Sequence, residues 1–205
     1  MEKRLDIMVD LETLGLGDDA TIIQIAALAF DINNGEIIDT FEAYVDIAKT
    51  ELNADGSTIK WWLGTDKELF TDLILNGQVP LESALEDFSC WINGLSQSED
   101  DPFYKDIFLW GNGILFDNAK LKTQFEKHDQ VYPIFYRNDR DVRTILELAM
   151  HKLGIKEKEL RGKLDKHLEL KYEVGFIKHD ALDDAHYQVE LVTFCYNILM
   201  GKDFE

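Results

Sequence analysis

The 205-residue chain is 45% hydrophobic and carries 40 Asp and Glu against 21 Lys and Arg, for a net charge of −19. That length suits one α/β domain spanning residues 1–205, and the composition excludes a disordered or fibrous chain. An acidic excess of this size argues against a sequence-independent nucleic-acid binder with a broad basic face, and it leaves two readings: a solvated acidic surface, or carboxylates gathered on a cation.

The N-terminus "MEKRLDIMVD" has no apolar h-region of a signal peptide. The apolar runs "IIQIAALAF" and "LVTFCYNILM" are too short and too polar to span a bilayer. A soluble protein of the cytoplasm is expected. The two cysteines, Cys90 and Cys195, lie in amphipathic helical patterns and read as reduced core residues.

In chain order, "LDIMVDLE" reads as a central strand over residues 4–12. Two more strands, "TIIQIAALAFD" and "EIIDTFEAYVDI", flank the turn signal Asn34-Gly35 and predict a hairpin. Helical patterns follow at about Ser57–Asn76 and Leu81–Leu95. "DIFLWG" predicts a short buried strand, leading into a helix at about Ile114–Lys127. "DVRTILELAMHKLG" predicts an amphipathic helix that ends at Gly154, with Asp141 as its cap. The charged stretch 155–178 reads as mostly surface, and a last helix covers about Leu182–Met200. The sum is a mixed sheet flanked by helices.

Three acidic positions break the apolar logic. Along the first strand Met8, Asp10 and Glu12 share a face, which puts the two carboxylates roughly 7 Å apart. A strand end emerging into water would explain a lone pair of this kind. Asp117 falls on the stripe of Ile114, Leu121 and Phe125, although helix starts also favour Asp as a cap. Asp184 lies on one face with Gln188, Leu191, Cys195 and Ile198, while Asp180 suits the cap of that helix. Three inward acid sites, each beside an element terminus, would repel one another unless a divalent cation joined them. Oxygen donors of this type suit Mg²⁺ or Mn²⁺.

The segments "DLET", "GNGILFD" and "HDALDDA" resemble the three motifs of the DnaQ-like DEDDh 3′–5′ exonucleases, in the ribonuclease H-like superfamily. "STIKWW" and "RNDRDVRT" resemble a subgroup that includes the T-even phage exonuclease A and a mycobacterial exoribonuclease. The resemblance covers Leu5 to about Leu199. It implies a five-stranded mixed sheet with helices on both sides. It also implies two Mg²⁺ or Mn²⁺ ions held by Asp10, Glu12, Asp117 and Asp184, with Asp10 bridging and His179 as general base. The third motif is His, four residues, then Asp, so Asp183 is not the matching ligand. One departure stands out: Gly111 replaces the histidine that many members carry before the "FD" segment, and the spacing is one residue longer.

The implied substrate is a nucleic-acid 3′ end, single-stranded DNA by preference and RNA as the alternative. A homodimer is allowed but not required. Thr13 and Leu14 follow Glu12 and place their backbone near the terminal nucleotide. Trp61 and Trp62 point about 100° apart on a helix, so one belongs to the core and the other is free to stack on a base. Asn112 precedes the second motif with no defined contact. Arg140 and Arg143 are expected in ion pairs, and His128, His151, His167 and His186 on the surface. A silent interaction module on the same fold is disfavoured because all four acids and the histidine are present. A haloacid-dehalogenase-type phosphatase is set aside because it needs Asp two residues after its nucleophile, where Glu12 stands.

Overall fold

The computed structural model describes residues 4–95, 106–172 and 176–202. Five strands form one sheet: β1 (Leu5–Thr13), β2 (Ile22–Phe30), β3 (Ile37–Tyr44), β4 (Ile107–Gly111) and β5 (Asp139–Asp141). Their order is β3-β2-β1-β4-β5. β1 to β3 form an antiparallel meander, and β4 and β5 add in parallel beyond β1. The meander follows from short connections. The β2–β3 turn closes on Gly35, whose φ of 73° suits a residue without Cβ, and Asp31 and Glu36 pair across it. All nine residues of β2 are buried, which accounts for an apolar run interrupted only by Gln24.

The alternation in β1 sorts its side chains between two layers. Ile7, Val9 and Leu11 pack on α3 (Leu81–Leu95) and α4 (Asp117–Lys127). Met8 joins the opposite layer with α5 (Val142–Leu153), α6 (Glu157–Lys171) and α7 (Ala181–Met200). Asp10 and Glu12 share the side of Met8, so they face α7. A smaller core of Leu14, Ile23, Trp62, Phe70 and Leu73 lies under α1 (Gly56–Thr65) and α2 (Lys67–Leu75).

Several expectations need correction. The pattern over Ser57–Asn76 is two helices, broken where Asp66 turns to accept a hydrogen bond from the Leu69 N–H at 2.9 Å. The Ile114 start is a turn, and α4 begins at Asp117. The charged stretch after residue 155 contains α6, which buries Leu160, Leu164 and Leu168 at four-residue spacing. Each buried leucine contributes on the order of 2 kcal/mol. Strand β5 is the three-residue "DRD", which carries no apolar signal. Cys195 is buried, its thiol pushed up to about 12 by burial, but Cys90 is exposed on α3. His151 is exposed, while His128, His167 and His186 are half-buried, and His186 stacks on Phe176. Asp141 does cap α5, and Gly154 ends it in the left-handed region. Among the described residues no helix is long and apolar enough to cross a membrane.

Candidate active site

The parallel pairing of β1 with β4 ends at Met8 and Trp110. Beyond it the strands part, and the crevice at their carboxyl ends holds the acids, as open α/β sheets favour. Asp10 lies two residues past that pairing. Glu12 sits at a β-bulge, where the register against β2 shifts before Thr13. The chain leaving β4 turns through Asn112 and Gly113 and delivers Asp117 as the first residue of α4, almost fully buried. The N-terminus of α7 supplies Asp184, and the loop before it supplies His179.

Glu12, His179 and Asp184 each offer a ligand atom, and these atoms lie within 4.8 Å of one another. Asp10 and Asp117 stand outside that triplet and are joined to it by charge. Burial pushes the Asp10 carboxyl well above the usual carboxylate range, and Asp117 and Asp184 push it further; the Gln188 amide, donating at 2.7 Å, opposes them. Glu12 is raised by burial and then by Asp10. Asp117 is raised to about 7 by burial, against a hydrogen bond from the Leu11 backbone and the charge of Lys120 and Arg143. Asp184 is also raised, by burial above all, while its bond from the His179 N–H at 3.0 Å works the other way. Four carboxyls held above their ordinary range in one crevice are a site short of positive charge.

His179 has a φ of 67°, uncommon for a side chain of this size. One hydrogen bond of its own and one cap at its neighbour fix the chain there. The His179 N–H is bonded to Asp184, and Asp180 caps α7 through the N–H groups of Leu182 and Asp183. Gln24, fully buried on β2 opposite Glu12, accepts from the Ala181 N–H at 3.1 Å and donates to Asp180 at 3.3 Å. Sequence reading gave neither Gln24 nor Gln188 a role. The available signal was a glutamine in an otherwise apolar strand and another four residues after Asp184 on an apolar stripe. Asp183 is occupied elsewhere, accepting from the Ile177 N–H at 2.7 Å.

Two cavities open on either side of the acids. One, of about 390 Å³, lies between Glu12 and α1 and is walled by Thr13, Leu16, Trp61, Trp62 and Phe116. Trp62 is core: it stacks on Phe70 and donates its indole N–H to the Thr13 carbonyl at 3.1 Å. Trp61 is 45% exposed, and its ring meets His179 edge-on at 5.0 Å. Leu14 does not wall this cavity. Its side chain is in the small core, and its N–H and carbonyl are bonded to Thr21 and Asp55. Phe116 and Leu16 take the place that was expected of Leu14. The other cavity, of about 560 Å³, is lined by Asp10, Asn112, Arg161, His179, Asp184 and Tyr187 among others, which gives Asn112 a place in the site.

Gly111 has a physical reason. A Cβ there would run into the Asn118 side-chain oxygen, and Asn118 spans β4 and β5 by donating to the Leu109 carbonyl and the Asp139 carboxylate. The expected ion pairs of Arg140 are absent among the described residues; its guanidinium lies over the Phe108 ring at 4.5 Å. Lys120 is buried and donates to the carbonyls of Leu16 and Gly17, pinning the loop that walls the first cavity.

A mixed five-stranded sheet with this acid crevice defines a ribonuclease H-like fold of the DEDDh exonuclease type. The nuclease domain of 3′hExo, a DEDDh family member solved with rAMP, superposes with a TM-score of 0.63 at 16% identity over 100% of this chain and 96% of that one. Cell-death related nuclease 4 gives a TM-score of 0.66 at 20% identity, over 96% of this chain and 64% of that one. E. coli exonuclease I in complex with a dT13 oligonucleotide gives 0.58 at 16% identity, and this chain spans 40% of it. At these identities the structures speak to the fold alone. The chain belongs to the family described as the 3′-5′ exoribonuclease Rv2179c-like domain, whose model matches residues 5–196. It is also 24% identical to the exodeoxyribonuclease of Enterobacteria phage T4 over 224 residues, spanning 97% of this chain and 92% of that protein.

Proposed function

We propose that this chain hydrolyses phosphodiester bonds from the 3′ end of a nucleic-acid strand and releases nucleoside 5′-monophosphates. The observation that carries the reading is the gathering of Glu12, His179 and Asp184 within 4.8 Å, beside Asp10 and Asp117, with all four acids raised above their ordinary range. The donor set is oxygen-rich and fits two Mg²⁺ or Mn²⁺ ions, which Asp10, Glu12, Asp117 and Asp184 would hold. When bound, such ions acidify the attacking water and stabilise the leaving 3′ oxygen.

The residues of the chain do the rest. Gln188 fixes the orientation of Asp10, and the His179 N–H fixes that of Asp184. The His179 imidazole accepts the proton of the attacking water as the water oxygen bonds to phosphorus and the P–O3′ bond breaks. The Trp61 face and the side chains of Leu16 and Phe116 form an apolar slot for the terminal base, which stacking tolerates without regard to sequence.

Single-stranded DNA is the preferred substrate on this reading; the phage exodeoxyribonuclease, matched along nearly its whole length, supports DNA over RNA. The family description favours RNA as the second reading. End-labelled single-stranded DNA, duplex DNA and RNA of one sequence, compared side by side with Mg²⁺ or Mn²⁺, separate them. Mononucleotide release from DNA at the higher rate is expected. Release that survives EDTA would reject the metal-dependent reading, and faster release from RNA would reverse the sugar preference.

A further inference from the structure

Arg143 is the second residue of α5 and lies far in sequence from every acid of the site. Its backbone N–H is bonded to Asp141 at 2.7 Å, and Asp141 also accepts from the Ile114 N–H at 3.4 Å, so the start of α5 is tied to the loop between β4 and α4. Its guanidinium lies flat over Gly113. A Cβ built on Gly113 would sit 2.9 Å from the Arg143 Cζ and 3.1 Å from both terminal nitrogens. Gly113 has a φ of 110°, so both its backbone and the space above it require glycine. The guanidinium is close enough to Asp117 to act on its charge, yet among the described residues it makes no ion pair or side-chain hydrogen bond. In a chain with 40 acids and 21 bases, an unpaired and exposed guanidinium at the rim of the acid crevice calls for an anion from outside.

We infer that Arg143 binds the backbone phosphate next to the scissile one, on its 5′ side. The inference rests on the exonuclease reading above. With the terminal base in the slot beside Trp61 and the scissile phosphate on the acids, the strand leaves the crevice on the side away from Trp61. The Asn112–Gly113 loop borders that side, and Asn112 lines the cavity there. Two divalent cations on four carboxylates would leave the cluster with no net charge to hold Arg143, and its fork of donors would then be open to a phosphate. An exposed side chain at the rim reaches the departing strand rather than the phosphate on the floor.

The test compares a dinucleotide that carries a 5′-phosphate with the same dinucleotide lacking one, in the sugar series that the wild type cleaves faster. Only the first has a phosphate 5′ of the scissile bond. Wild type is expected to prefer it, and Arg143→Gln to lose about tenfold or more in kcat/KM on it while cleaving the other within about twofold of wild type. Arg143→Lys, which keeps the charge but not the fork, should fall between. In the inactive Asp184→Asn background, adding Arg143→Gln should lower the salt slope of oligonucleotide binding by about one phosphate contact. Equal losses on both dinucleotides would overturn the inference and make Arg143 a countercharge for Asp117; no loss on either would overturn it as well. Wild type that releases nothing from either substrate with metal present would instead reject the exonuclease reading itself.

Discussion

At the scale of single residues, the site is defined by carboxyls that are costly to ionise together. Asp10→Ala or Asp184→Asn should abolish hydrolysis and, without metal, melt at or above the temperature of the wild type, because each removes repulsion from the crevice. Near-normal turnover by either variant in a Mn²⁺ assay would remove these residues from the machinery. His179→Ala should lose at least about a hundredfold in kcat, the usual size of a general-base contribution. A loss confined to KM would make His179 a binding group.

At the scale of elements, β2 and α7 are coupled through one buried side chain. Gln24 bonds to the start of α7 at Ala181 and Asp180, and also donates to Glu42 on β3 at 3.1 Å. Gln24→Ala leaves the Ala181 N–H without a partner, at a cost of about 1–3 kcal/mol. It also frees the loop that holds His179 at a positive φ. The expected outcome is a lower melting temperature and a roughly tenfold lower kcat with little change in KM. A variant that melts lower but turns over at the wild-type rate would show that the histidine needs no such clamp.

Across the whole molecule, two properties follow from charge. The first is pH dependence without metal. The buried acids have folded pKa values above their unfolded ones, so the native state holds protons that the unfolded chain releases. Stability must then fall as pH rises from the ordinary carboxylate range through about 7, where Asp117 ionises. EDTA-treated protein should melt several degrees lower at pH 8 than at pH 6. Mn²⁺ should raise the melting temperature more at pH 8, and Asp117→Asn should flatten the slope. A metal-free melting temperature that climbs from pH 6 to 8 would contradict the raised acids.

The second property is a short grip on substrate. Lys120, Lys122, Arg140 and Arg143 would make an extended basic groove if folding joined them, but it separates them. Lys120 is buried against carbonyls, Lys122 faces Glu126, Arg140 covers Phe108, and of the four Arg143 alone is exposed beside the loop between β4 and α4. Binding of the Asp184→Asn protein to single strands should show a shallow salt slope, about one to three phosphate contacts. Affinity that keeps growing with strand length would require basic contacts elsewhere.

The sequence by itself determined the three-strand meander and the helices α3, α5 and α7, and it singled out the five side chains that the structure gathers in one crevice. Those depend on local alternation, on helical periodicity and on motif spacing, all written in adjacent residues. It did not reveal β5, because the ladder to β4 is made by the backbone and "DRD" shows no apolar pattern. The leucine stripe of α6 lay unread among charges, although its four-residue spacing was there to see. Only the tertiary structure decided which tryptophan is core, that Leu14 is bonded away while Leu16 and Phe116 wall the slot, and that Gln24 and Gln188 bond to the residues around the acids. Each of those outcomes depends on which distant element fills the space beside a side chain; a local pattern can mark a polar residue on an apolar face, as at Gln24 and Gln188, but not the partner it meets.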